Sequence, residues 1–150
     1  MKKTLKYIGF WVLSLTWGLP MTLFGAIVAI GCLVTGHKPH RFHQNVYFVF
    51  GNGGWGFEAG GFFFLSKDCA DNLSMKQHES GHGLQNIVYG VFMPFLVSIP
   101  SAVRFWYREW LINTKRKKYS ELPPYDSIWF EGQATAWGEK HYPAKTNKGG

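Results

Sequence analysis

Ser74-Met75-Lys76-Gln77-His78-Glu79-Ser80-Gly81-His82 is the stretch on which the reading of this chain turns. A serine followed three residues later by glutamine is a capping-box pattern: the hydroxyl accepts from the third helical amide while the amide side chain reaches back. It predicts a helix from near Met75 to near Tyr89, where Gly90 suits the left-handed residue that closes a helix and Pro94 follows soon after. On such a helix His78 and His82, four positions apart, project from one face. Both imidazoles can then reach one Zn²⁺ at about 2.0–2.1 Å, with Glu79 beside the metal's water. Zinc brings the pKa of that water toward ~7, a neighbouring carboxylate takes its proton, and the nucleophile so formed attacks a carbonyl. Glu79 is the expected catalytic base, and His78 and His82 are expected metal ligands.

A catalytic zinc takes three protein ligands and keeps one position open, so a third His, Asp or Glu is expected downstream on another element. Glu131 fits best. Pro123-Pro124 ends a basic loop, and Asp126 or Ser127 can cap a last helix running to about Lys140. Ala134, Thr135 and Gly138 share the Glu131 face of that helix. All are small, which would let it approach the first helix closely at Ser80 or Gly81. Without the upstream motif Glu131 would be an ordinary first-turn acid favoured by the helix dipole.

His78-Glu79-Ser80-Gly81-His82, followed by Glu131-Gly132-Gln133-Ala134-Thr135, resembles the gluzincin pattern, in which HExxH is completed by a Glu on a later helix. In more detail, HESGHGLQN, MPFLVSIPSAVRFWYRE and YDSIWFEGQATAWG are similar to a group of short bacterial membrane proteins with a HExGHxxQ core. The resemblance covers residues 74 to 140. It implies a zinc metallopeptidase in a bacterial cytoplasmic membrane, with a strand beside the zinc helix, here the 55 to 65 arm, holding substrate in extended form. It supplies no substrate. Membrane gluzincins place spanning helices between the two ligand elements, whereas this chain has one broken apolar segment there.

Working outward, residues 45 to 65 read as an antiparallel β-hairpin: Val46, Phe48 and Phe50 alternate with Tyr47 and Val49, Asn52-Gly53-Gly54 turns, and Phe57 to Leu65 returns. Before it, Tyr7 to Val34 carries no charge and, as one helix, exceeds the roughly 30 Å hydrocarbon core, which predicts a transmembrane helix. The run is too long for a signal peptide's apolar region. Gly18 and Pro20 in its middle can kink it or turn it into a shallow hairpin. Residues 87 to 103 are apolar again but are cut by Pro94 and Pro100. The continuation to Asn113 mixes Arg104, Arg108 and Glu109 with Phe105, Trp106, Tyr107 and Trp110, as in a helix lying in the interface. A single crossing by 87 to 103 would put His82 and Glu131 on opposite sides of the bilayer, so a re-entrant or surface-lying segment is expected.

The 150 residues allow one small domain beside the membrane segment, and the formal charge of +7 suits an anionic partner. Lys2, Lys3 and Lys6, Lys38 and Arg41, and Lys115 to Lys118 flank the apolar runs. That points to lipid headgroups, and no base-reading module points to nucleic acid. The first clusters favour an inside N-terminus with the domain outside, while the Lys115 to Lys118 run argues the opposite orientation. Cys32 lies within the apolar run, so a bridge to Cys69 would need the chain to double back. Tyr125, His141 and Tyr142 lie near Glu131 in sequence but are not assigned to oxyanion stabilisation. Glu58 reads as a solvated strand residue, and His37, His40 and His43 as an interfacial cluster rather than a second metal site.

The expectation is an α+β protein: a membrane anchor over 1–36, a zincin-like metallopeptidase domain over 37–142 and a disordered tail over 143–150. It hydrolyses a peptide or protein near the bilayer with Glu79 as base and Zn²⁺ on His78, His82 and Glu131. Two competing readings keep the membrane but not the reaction: a non-enzymatic immunity or channel-like protein, which binds no metal, and an inactive zinc-binding pseudoprotease.

Overall fold

The computed structural model describes residues 2–143. It is an α+β arrangement of five α-helices around a small mixed sheet. Residues 144–150 of the expected tail lie outside the described residues.

The apolar run does not form one helix. It divides into α1 (Lys2–Leu15) and α2 (Leu19–Val34), bent by 96° at the intervening turn. Pro20, with no amide hydrogen to donate, sits in the first turn of α2 behind Gly18. The break is held by tertiary packing. A Cβ on Gly18 would lie 2.3 Å from the Asn86 amide nitrogen, and the Trp17 indole donates to the Val88 carbonyl at 3.3 Å. No single described helix is long and apolar enough to cross a membrane.

The sheet has strand order β1-β2-β4-β3, with β1 at His40–Phe42, β2 at Asn45–Val49, β3 at Gly56–Ala59 and β4 at Phe62–Leu65. The expected hairpin over 45 to 65 is therefore corrected. β4 lies between β2 and β3, parallel to β2 and antiparallel to β3. The tight turn is Gly60-Gly61, with Ala59 paired to Phe62 and Gly60 at φ 70°. Asn52-Gly53-Gly54 belongs instead to a longer connection, pinned by the Trp55 indole on the Asn52 carbonyl and by the Gly53 amide on the Asp68 carboxylate.

Strand alternation then assigns the two faces. Phe48, Phe57, Ala59 and Phe64 face α2, where a Cβ on Gly25 would lie 2.1 Å from the Ala59 carbonyl oxygen. Tyr47, Phe63 and Leu65 face Met75 of α3 (Leu73–Tyr89), which places Gly56 and Glu58 on that side as well. Being covered on both faces is why β4 tolerates an unbroken Phe62-Phe63-Phe64-Leu65 run.

After α3 the chain passes through a 3₁₀ turn at Gly90–Phe92 and a π-helical turn at Pro94–Ser98 into α4 (Ile99–Asn113), turning by 117°. Helix α5 (Trp129–His141) returns along α3. The contact between them is backbone on backbone. A Cβ on Gly81 would lie 1.9 Å from the Ala134 carbonyl oxygen, and one on Gly138 would lie 2.0 Å from the Gln77 carbonyl oxygen. Since neither partner is a movable side chain, Gly81→Ala is expected to destabilise the protein by about 1–3 kcal/mol through overpacking. Thermal unfolding of the purified protein, read as a lowered Tm against wild type, checks this.

Candidate metal centre

Helix α3 begins two residues earlier than expected. Its N-cap is Asn72, whose side-chain oxygen accepts from the Met75 amide at 3.1 Å, while Ser74 is already inside the helix. Gly90, at φ 55°, ends it as anticipated. On the face toward α5, the His78 and His82 rings stand edge to face, 4.7 Å apart between centroids. Glu131 lies in the first turn of α5, fully buried, and its Oε2 is 3.1 Å from Nε2 of both histidines. Ile128, rather than Asp126 or Ser127, takes the N-cap position of α5, with no side-chain cap.

Each of the three groups is oriented from behind. The Gln85 amide nitrogen donates to the Phe130 carbonyl at 2.8 Å and to Gln133 Oε1 at 2.9 Å, which fixes which end of the amide faces His82. Gln85 Oε1 therefore accepts from His82 Nδ1 at 2.7 Å, so that nitrogen carries a hydrogen. The lone pair of a neutral His82 is then on Nε2 and faces a carboxylate oxygen. Two acceptors 3.1 Å apart require a positive charge between them, either a proton or a metal ion. His78 Nδ1 lies 2.9 Å from Thr135 Oγ1, and the Ser101 hydroxyl of α4 donates to Glu131 Oε1. The three candidate ligand atoms all fall within 4.8 Å of one another. Two imidazoles and a carboxylate with such support fit Zn²⁺, and also other borderline divalent ions.

The electrostatics agree with that donor set. Burial works to raise the pKa of Glu131, but hydrogen bonds from His78 and His82 outweigh it and hold the carboxyl well below its ordinary range. Burial alone would lower His82, yet its contacts with Glu131 leave it raised. Glu79, 3% exposed, is raised by burial against the opposing pull of His78 and His82, with Glu131 adding repulsion.

Glu79 faces the sheet. A Cβ on Gly56 of β3 would lie 2.7 Å from Glu79 Oε1, so glycine there makes room for the carboxylate, while Glu79 Oε2 is buried with no hydrogen-bond partner among the described residues. Glu58, expected to be solvated, is 8% exposed, and burial and the Glu79 charge raise its pKa well above the ordinary value. Its position two residues after Gly56 places it on the strand face toward α3, which a reading of 57 to 65 as one unbroken strand did not bring out.

Of the three residues near Glu131 in sequence, Tyr125 comes to the site. Its ring is 6.5 Å from that of His78 and its hydroxyl is 3.4 Å from Ser101 Oγ. Burial and the Glu131 charge push its pKa up to about 12, so it remains a hydrogen-bond donor at neutral pH. Tyr142 instead bonds Gln44, and His141 is exposed. His37, His40 and His43 pack separately on Phe50, Tyr47 and Phe42, and Cys32 and Cys69 are both free thiols. Ser101 was not legible in the sequence, because its contact with Glu131 spans 30 residues. Gln85 stands three residues after His82 within the motif, but its partners on α5 could not be read from spacing.

No protein-family model, curated protein or solved structure matches this chain. The residues and their geometry carry the functional reading.

The pH dependence has a definite sign. Metal must displace the proton that His82 holds more tightly than usual, whereas Glu131 is already ionised. Metal affinity should therefore fall by at least about tenfold for each pH unit below the raised His82 value. In the metal-free protein, His82 contributes stability that is fully present below its unfolded pKa of about 6.5 and lost as pH rises through its folded value. Competition with a chromophoric chelator, and thermal melts with and without Zn²⁺ between pH 5 and about 8, check both trends.

Proposed function

We propose that the chain is a membrane-associated, zinc-dependent peptidase in which His78, His82 and Glu131 hold the metal and Glu79 is the general base. The observation that carries this reading is the convergence of two Nε2 atoms on one Oε2 at 3.1 Å, with the His82 pair lacking a hydrogen when that ring is neutral. The order of the ligands, with a carboxylate following a HExxH helix, resembles gluzincins and adds weight. A zinc ion held there supplies a Lewis acid for a substrate carbonyl and acidifies water.

The remaining work falls to the chain. Glu79, raised above its ordinary value by burial, is a stronger base than an exposed glutamate, and its Oε2, unpartnered among the described residues, can accept a proton from water and pass it to a leaving amine. Strand β3 is an edge of the sheet and packs beside α3, so its free edge can pair with an extended peptide main chain. Such binding uses backbone groups and places little demand on substrate sequence. Tyr125 and Ser101 line the same side of the ligand cluster, and the Tyr125 hydroxyl stays protonated.

Two measurements test the proposal. Purified wild type should carry about one equivalent of zinc and cleave an internally quenched peptide library in micelles, with loss on chelation and recovery on zinc addition. Glu79→Gln should keep the metal and lose about 10²–10⁴ in turnover. Glu131→Ala should release the metal itself. Equal zinc in wild type and a His78→Ala/His82→Ala double variant would sink the metal assignment. Zinc without any cleavage in wild type would leave only a metal-holding role.

A further inference from the structure

Besides the ligand cluster, the most marked feature of the molecule is apolar surface that no other described residue covers. On α2, Leu23, Phe24, Ile27, Ile30 and Leu33 point away from the sheet. Beyond α3, Phe92, Phe95, Leu96, Ile99 and Val103 do the same. Large exposed patches of this kind mark an interaction surface.

The two bends place these surfaces side by side. Trp17, at the α1–α2 bend, packs against Phe92 at the α3–α4 bend with ring centroids 6.2 Å apart, and its indole lies where a Cβ of Gly90 would be, at 2.1 Å. Asn86 donates across to the Gly18 carbonyl at 3.4 Å. The bends therefore form one pole of the molecule. Away from the bends, the Arg41 guanidinium, seven residues past Val34 at the end of α2, lies 5.1 Å from the ring of Tyr7 in the first half of α1. A chain that crossed a bilayer once through α1 and α2 would hold those two residues on opposite faces.

Polarity increases away from the bends along three arms. Going back along α1, Val12 and Ile8 give way to Tyr7 and Lys6, with exposed Leu5 beyond them. Past α2, Leu33 and Val34 are followed by Lys38 and Arg41. Along α4, Ile99 and Val103 are followed by exposed Trp106, Tyr107 and Trp110, and then by exposed Lys115, Arg116, Lys117 and Lys118. Apolar, then aromatic, then cationic is the order of hydrocarbon, interface and anionic headgroup. Arms of 14, 16 and 15 residues rise about 21–24 Å as helices, less than the roughly 30 Å core.

We propose that the chain sits in a single leaflet, the anionic cytoplasmic one, with the paired helix bends dipping into hydrocarbon as two adjoining re-entrant elbows and all three basic clusters at the same headgroup surface. This goes beyond the peptidase reading and does not depend on the metal. It removes the conflict between the basic clusters, because Lys6, Lys38 and Lys117 no longer need opposite sides. If the site is hydrolytic, its substrates are segments reachable from the cytoplasmic face, close to the bilayer.

Single cysteines placed at exposed positions of the full chain by Thr4→Cys, Lys38→Cys and Lys117→Cys test this in bacterial membranes, with buried Cys32 and Cys69 retained. A membrane-impermeant maleimide should label all three in inside-out vesicles and none in intact cells. Labelling of position 38 from the side opposite to position 4 or 117 would mean a true crossing and overturn the proposal. So would labelling of all three from outside, or recovery of the wild-type chain in the soluble fraction, as an oligomer hiding its apolar faces would be. Wild type should also stay with the membrane after a carbonate wash, and its release would count against insertion. None of these readouts uses zinc, so the proposed chemistry can fail while the topology stands, and the reverse.

Discussion

The backbone contact between α3 and α5 is the constraint on which the site depends. At Gly81 and Gly138 the two helices meet with carbonyl oxygens where side chains would otherwise be, and this closeness lets Glu131 reach both histidines with one oxygen. A single methyl at either glycine must push a backbone, because no flexible side chain is present to yield. Packing of the helix pair and assembly of the donor set are therefore one event. The rest of the fold, with β4 covered on both faces and α2 beneath the sheet, serves as the platform that holds α3 fixed.

Within that frame the burial of charge is compensated locally. Glu131 has no solvent exposure, yet each oxygen is engaged, Oε1 by Ser101 and Oε2 by the two imidazoles. Glu79 and Glu58 are buried with one oxygen each that has no partner among the described residues. An unsatisfied buried carboxylate is costly, and such a group persists in native proteins where it has a task or an unseen partner. The contrast between a fully satisfied carboxylate and two under-satisfied ones a short distance away separates the group suited to holding a cation from those suited to handling protons.

What could be read from sequence followed from short-range periodicity. His78 and His82 at helical spacing, Gly90 as the helix end, and the small face of Ala134, Thr135 and Gly138 beside Glu131 all depend on the 3.6-residue repeat, which spacing reports directly. The α+β class was legible for the same reason. The sheet order was not, because Gly60-Gly61 divides what looks like one apolar strand, and a parallel β2–β4 pairing leaves no local mark. The break at Gly18 was legible only as an option, since what fixes it is Trp17 reaching Gly90 from 73 residues away. Ser101 and the burial of Glu58 were likewise set by distant neighbours.

Ser101 gives the outward-facing helix a direct mechanical connection to the ligand cluster. Helix α4 is also tied to the rest of the chain by Arg104 and Arg108, which clamp the carbonyls of Pro123, Pro124 and Tyr125. Whatever lifts α4 away also withdraws the hydroxyl from Glu131 Oε1 and alters the electron density that carboxylate can donate. Thermodynamic reciprocity then applies: an ion gripped by Glu131 must steady α4 by the same factor by which a seated α4 tightens the ion.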